Sequence, residues 1–365
     1  MIQSLLLLRR ANIRLPSRRL RALIPAMGFT FLLACSASTE PGPFGAGGHL
    51  VSGGVGPDQI LALNNPIRIS GDQMVSPFLL DSEMVEGVFI NGEAMAYPVK
   101  MMDYHEIAND VVGGIPIVLS YCPLTATGIG FDRRTSAGTV QFGVSGLLCD
   151  NNLVMFDRAT DSLWPQIGFQ SIRGDLTGER LEQIQVFEMP WGAWKNLHPD
   201  TEVADFRELD NHINYGFYPY GTYYTSSAIF FPLQNVDSRL FPKERVHGIR
   251  VGGAGKVYPI DEMSATVVND AVSGEPVVVF GHGITNYAVS YSRVVGQQVR
   301  TFESLQAFPA RIRDLETGTV WDIHGIAISG PDSGKRLIPT ESFNAFWFGW
   351  AAFNEESEIW SSAGN

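Results

Sequence analysis

A mainly β fold with a few short helices, built from two related, pseudo-symmetric β units, is what this sequence predicts. Three observations predict it. The 365 residues include 38 glycines and 21 prolines among many aromatic and β-branched residues, a composition suited to short strands joined by turns. Apolar runs of strand length recur between turn signals throughout the chain. The order of those runs then returns about 160 residues later, the mark of an internal duplication.

The N-terminal stretch, 1–34, reads as a targeting segment rather than as fold. Arg9, Arg10, Arg14, Arg18, Arg19 and Arg21 precede a short apolar run from Ala22 to Ala34. That run is too short to span a bilayer, which takes ~20 residues. It ends in LLAC at Leu32–Cys35, which resembles a bacterial lipobox. The resemblance implies cleavage before Cys35, lipidation of its thiol, and a membrane-anchored, extracytoplasmic location on the periplasmic side. The stretch 35–57, rich in Gly, Ser and Pro, reads as a flexible tether.

The first β unit is expected over 58–203. VEGVFINGEAMAYP from Val85 alternates about Asn91-Gly92, a hairpin signal. MMDYHEIANDVV fits one or two helical turns, IPIVLSY a strand buried on both faces, and MPWGAWKNL a short helix. The stretch 204–245 is an aromatic-rich bridge containing NYGFYPYGTYYTSS, read either as a stacking surface or as filling for the seam between units. The second β unit, 246–365, repeats the order of the first. VHGIRVGGAGKVYP at Val246 answers VEGVFINGEAMAYP, NDAVSGEPVV at Asn269 answers NDVVGGIPIV at Asn109, and WFGW at Trp347 answers WGAW at Trp191.

Net charge is −12, and the six leader arginines account for six of the 26 basic residues against 38 acids. The remaining acidic surface repels nucleic acid and anionic lipid, so no nucleic-acid partner is expected. Of three cysteines, lipidation of Cys35 leaves Cys122 and Cys149, too few for a disulfide scaffold.

The repeat serves as a control. Residues kept in both copies, such as Asn109-Asp110 and Asn269-Asp270, or Trp164 and Trp321, are expected to serve the fold. Residues in one copy only are the better functional candidates: His105 stands opposite Ala265, Glu106 opposite Thr266, and Cys122 opposite His282. A thiol beside an imidazole or carboxyl suits nucleophilic or redox chemistry, with Cys122, His105 and Glu106 as catalytic candidates. Cys122, His105 and His282 are the candidate metal ligands, for copper or zinc. HEIAN at His105 fails as a zinc-protease HExxH, because Asn109 occupies the second ligand position.

With CPLT at Cys122, FGVSGLL, NLVMFDRATDSLW, WKNLHPDTEV and RLFPKERVHGI in view, the chain resembles the bacterial and archaeal family catalogued as domain of unknown function 3179. The resemblance spans nearly the whole mature chain but implies no established activity. Family members often read CPLC where this chain has Thr125, so a dithiol site there would lack its second thiol. The leading expectation is a membrane-tethered protein with a thiol-centred metal or redox site at Cys122. The alternative is a binding or assembly lipoprotein presenting the bridge tyrosines to a glycan or protein. A hydrolase using Glu106 and Asp110 is a third.

Overall fold

The computed structural model describes residues 50–210, 212–263 and 266–362. The expected leader, Cys35 and the first part of the tether lie outside the described residues. The chain is mainly β, with three short helices, each of seven residues. Among the described residues no helix is long and apolar enough to cross a membrane.

The first half begins with the hairpin Met84–Ile90 and Glu93–Pro98. It turns at Asn91 and Gly92, both with positive φ (51° and 88°), as the Asn-Gly pair anticipates. Helix α1, Val99–His105, stops where Glu106 adopts the left-handed conformation, φ 57°, and returns its N–H to Met102 O. The backbone then runs as a meander of Ile107–Val112, Ile115–Cys122 and Thr127–Asp132. The helical turns expected over MMDYHEIANDVV therefore end at His105, and Asn109 and Asp110 sit within a strand. A second meander comprises Phe142–Cys149, Asn152–Asp157 and Leu163–Pro165. Leu50–Ser52, placed by the sequence reading at the end of the tether, is a strand on this sheet: Leu50 pairs with Cys149. The strand Phe187–Pro190 returns to pair with Met84–Ile90 and leads into α2, Trp191–Leu197.

In the second half, Arg245–Val251 pairs with Ala254–Pro259 and with Glu341–Phe346. Thr266–Val272, Glu275–His282 and Tyr287–Ser292 form one meander. Phe302–Gln306, Arg311–Asp314 and Val320–Asp322 belong to another, and α3 is Trp347–Phe353. The described residues form one contact unit. The core is accordingly shared: one apolar cluster joins Trp191 and Trp194 to Tyr291 and Trp321, and a second joins Cys122 and Trp164 to Trp347 and Trp350.

Tight packing explains two glycines. A Cβ on Gly87 would come within 2.3 Å of the Trp194 ring, and one on Gly248 within 2.2 Å of Trp350. Each strand thus has a bare position under an indole, and neither tolerates alanine without displacing it.

Candidate functional site

The strand Ile115–Cys122 is buried along most of its length and delivers Cys122 to the turn Cys122-Pro123-Leu124-Thr125. Thr125 Oγ1 accepts hydrogen bonds from Asn152 Nδ2 (3.0 Å) and Thr127 Oγ1 (3.1 Å), which leaves its own proton for the sulfur. The Thr125 hydroxyl and the backbone of Thr125 and Leu153 all hydrogen-bond the thiol group and favour its ionised form. The S–H itself points to Asn151 O at 3.6 Å. Burial outweighs these donors. With only 2% of Cys122 exposed, desolvation first, and the Glu106 charge second, push the thiol up to about 11.

Glu106 is the electrostatic neighbour of that sulfur. Burial, and then Asp103, raise its carboxyl to about 8. Asp103 is itself raised to about 7 by burial, and its Oδ1 has no hydrogen-bond partner among the described residues. A non-glycine residue at positive φ carries strain, and Glu106 carries it at this site.

The bridge covers the turn. Tyr218 and Tyr223 donate their hydroxyls to Pro123 O (3.4 Å) and Leu124 O (3.0 Å). Asn151 Nδ2 donates to Phe231 O at 2.9 Å. Lys243 donates to Tyr223 O, and its Nζ stands 3.2 Å above the Tyr223 ring. Tyr215 and Tyr223 are buried, and Tyr218 and Tyr220 pack half-buried against the second core cluster. These four tyrosines fill a seam rather than form an open stacking face.

The other candidates lie apart. His105 hydrogen-bonds Leu61 O through Nδ1 (2.8 Å) and Tyr215 Oη through Nε2 (2.7 Å), so both ring nitrogens are engaged, and burial lowers its pKa. His282 Nδ1 contacts Thr285 Oγ1 at 2.8 Å and accepts from Thr285 N, capping the turn Gly283–Thr285. Cys149 is a free thiol, as is Cys122. It sits in a separate apolar cluster with Val154 and Leu163, where burial pushes it up to about 12. Among the described residues, no group of three or more His, Cys, Asp or Glu side chains is placed to hold a metal ion. Cys122, His105 and His282 thus do not converge on a donor set for copper or zinc.

A second polar locus was not singled out by the sequence reading. A cavity of about 580 Å³ opens between the halves, with Glu86, Glu188, His247 and Asn344 on its wall. Glu86 and Glu188 are directly opposed on adjacent strands. Arg245 pairs with Glu188. Asn344 Nδ2 also donates to Glu188 Oε2 (3.3 Å), while its Oδ1 meets His247 Nδ1 at 2.8 Å. His247 Nε2 continues to Ser290 Oγ, also at 2.8 Å. Burial lowers the His247 imidazole to about 4, so it is neutral at pH 7. A signal for this site was present in the sequence: Val85-Glu86-Gly87 resembles Val246-His247-Gly248, with an acid in one stretch and an imidazole in the other.

No match to the chain was found among the curated proteins or the solved structures. Residues 57–357, most of the chain, match the family model described as "Protein of unknown function (DUF3179)", and the chain belongs to that family.

Proposed function

We propose that this is an internally duplicated, lipid-anchored extracytoplasmic protein whose working group is the Cys122 thiol, used in thiol–disulfide exchange. The observation that carries the reading is the Cys122 sulfur itself. It is ringed by the Thr125 hydroxyl and two backbone groups, neighbours a proton-holding Glu106, and is sealed by the bridge. Closed, it is an inert thiol. Admitting water removes the desolvation that dominates both shifted groups, and the fixed donors then favour the thiolate. In the reaction, Cys122 gives its proton to the admitted water and its thiolate attacks one sulfur of an incoming disulfide. A mixed disulfide forms, and the other sulfur leaves as a thiolate that takes up that proton from the water.

The duplication is supported by hydrogen bonds that recur at matching positions. Asn109 exchanges two bonds with the backbone of Phe142, and Asn269 does the same with Phe302. The indoles of Trp164 and Trp321 each donate to an aspartate seven residues earlier, at 3.0 Å. The anchor rests on the Leu32–Cys35 motif and is tested by the mass of the mature N-terminus, where a diacylglyceryl group on Cys35 is expected. A second reading, a binding protein, is favoured by Phe217 and Phe230 of the bridge, which are 70% and 52% exposed.

The experiment is native-state alkylation of the purified protein, read by mass spectrometry at both cysteines. Cys122 is expected to label at least tenfold faster than Cys149, and faster still in Tyr223→Phe, which loses the bond to Leu124. Equal, slow labelling of both thiols at the rate of global unfolding would overturn the exchange reading and leave the binding one.

A further inference from the structure

The cleft between the halves has been described only by its wall, and the wall specifies what can enter. Its deep donors are all engaged. Arg245 is held by Glu188 and by Ala126 O, the Asn344 amide nitrogen by Glu188, and both His247 nitrogens by Asn344 and Ser290. What remains open is acceptor capacity. Glu86 has 0% exposure, lines the cavity, and among the described residues neither carboxyl oxygen has a hydrogen-bond partner. A buried carboxyl in that condition is costly, and a fold ordinarily supplies it a donor. Here the backbone of Gly128 packs against the carboxyl instead, and a Cβ there would stand 2.3 Å from Glu86 Oε1.

Charge narrows the choice further. The lining carries Glu86, Glu182, Glu188 and Glu341 against one lining arginine, Arg180, which is itself paired with Glu341. Arg245, behind the wall, answers Glu188. This lining disfavours an anion and suits a ligand that brings donors and positive charge. The volume fits a small organic molecule.

We propose that this cleft binds a small organic ammonium ion, its N–H groups donated to the two unpartnered oxygens of Glu86. Burial, followed by the charge of Glu188, raises the Glu86 carboxyl well above the usual range, so it holds a proton in the empty cleft. Docking an ammonium displaces that proton, and affinity therefore rises with pH. The charged groups around Glu86 are Glu188 on the neighbouring strand, Arg245 at the start of Arg245–Val251, and the Arg180–Glu341 pair and Glu182 on the lining. His247 is neutral above about pH 4.

The test is calorimetric titration at pH 7 with n-butylamine and glucosamine, each beside its uncharged counterpart, n-butanol and glucose. Amines are expected to bind and their counterparts not. Repeating the titration in two buffers of different ionisation heat is expected to report release of about one proton. Glu86→Gln is expected to weaken amine binding at least tenfold. Amines binding no better than the alcohol and sugar, or binding unchanged by Glu86→Gln, would overturn the proposal. The comparison on the native protein decides even if that variant fails to fold. The inference is independent of the thiol, so Cys122→Ser is expected to bind amines unchanged.

Discussion

The meander Ile107–Asp132 and the meander Thr266–Ser292 are alike in their strand order and differ in what covers the turn after their second strand. In the first, Tyr97 donates to Asp110 at 2.7 Å and Arg68 pairs with the same carboxylate. In the second, Tyr258 donates to Asp270 at 2.9 Å, and the cation is Lys256. The long strands end at Cys122 and His282 respectively. The Cys122 turn is buried under the bridge, whereas the His282 turn is open enough to leave Ile284 93% exposed. The difference teaches that the chemistry of this molecule follows its cover. Matched hydrogen bonds maintain both frameworks, and the shifted thiol of Cys122 and carboxyl of Glu106 lie at the turn from which the bridge excludes water.

The comparison can be broken most forcefully at the tryptophans. Trp164→Ala and Trp321→Ala each remove a fully buried indole and are expected to cost about 3–5 kcal/mol in urea unfolding. If their costs differ by more than about 2 kcal/mol, the two anchors are not equivalent.

Next in size is the asymmetry at Glu106. Its carboxyl is raised from about 4.5 to about 8 in the folded protein, so the unfolded chain loses its proton first. The contribution is present below pH 4.5 and is lost as pH rises through 8, on the order of a few kcal/mol. Relative to wild type, Glu106→Gln is expected to gain stability across pH 4.5–8, measured by thermal melts. Parallel wild-type and variant profiles would remove Glu106 from the site. Thr266, opposite it, carries no charge to titrate.

Asn109→Ala and Asn269→Ala each leave one backbone N–H and one C=O without its amide partner, at about 1–3 kcal/mol. Asn109 is 1% exposed and Asn269 is half-buried, so the first is expected to cost more; the reverse order would contradict the burial argument. The smallest effect is expected at His282→Ala, about 1 kcal/mol or less, since only a local cap is lost. A cost several times larger would mean that His282 supports more than its own turn.

Much of the framework was legible in the sequence because its signals are local. The Asn91-Gly92 hairpin, the strand ending at Cys122 and the short helix at Trp191 each announce themselves within a dozen residues. His105 shows where locality fails: its partners, Leu61 and Tyr215, are 44 and 110 positions away. Only folding reveals that both of its nitrogens are occupied. The break at Glu106 was illegible for another reason. Nothing in EIAN marks a left-handed residue, since glycine or asparagine is the usual occupant of such a cap. The cleft sits between these cases. Its four polar wall residues come from four strands spread over more than half of the chain, because Phe187–Pro190 packs against Tyr287–Ser292 and Glu341–Phe346 against Thr127–Asp132. Yet the match of Glu86 with His247 is legible in the likeness of Val85-Glu86-Gly87 to Val246-His247-Gly248.

Because Tyr218 and Tyr223 fasten the bridge to Pro123 and Leu124, Cys122 meets a reagent only in the fraction of time that those bonds are broken. When reagent is dilute, the observed rate scales with its concentration multiplied by that fraction. When reagent is abundant, the rate levels off at the opening rate and becomes indifferent to the reagent's identity. A partner that binds the bridge and holds it open gains access that a freely diffusing oxidant does not. Selectivity then comes from recognition of the strap rather than from the intrinsic nucleophilicity of the sulfur.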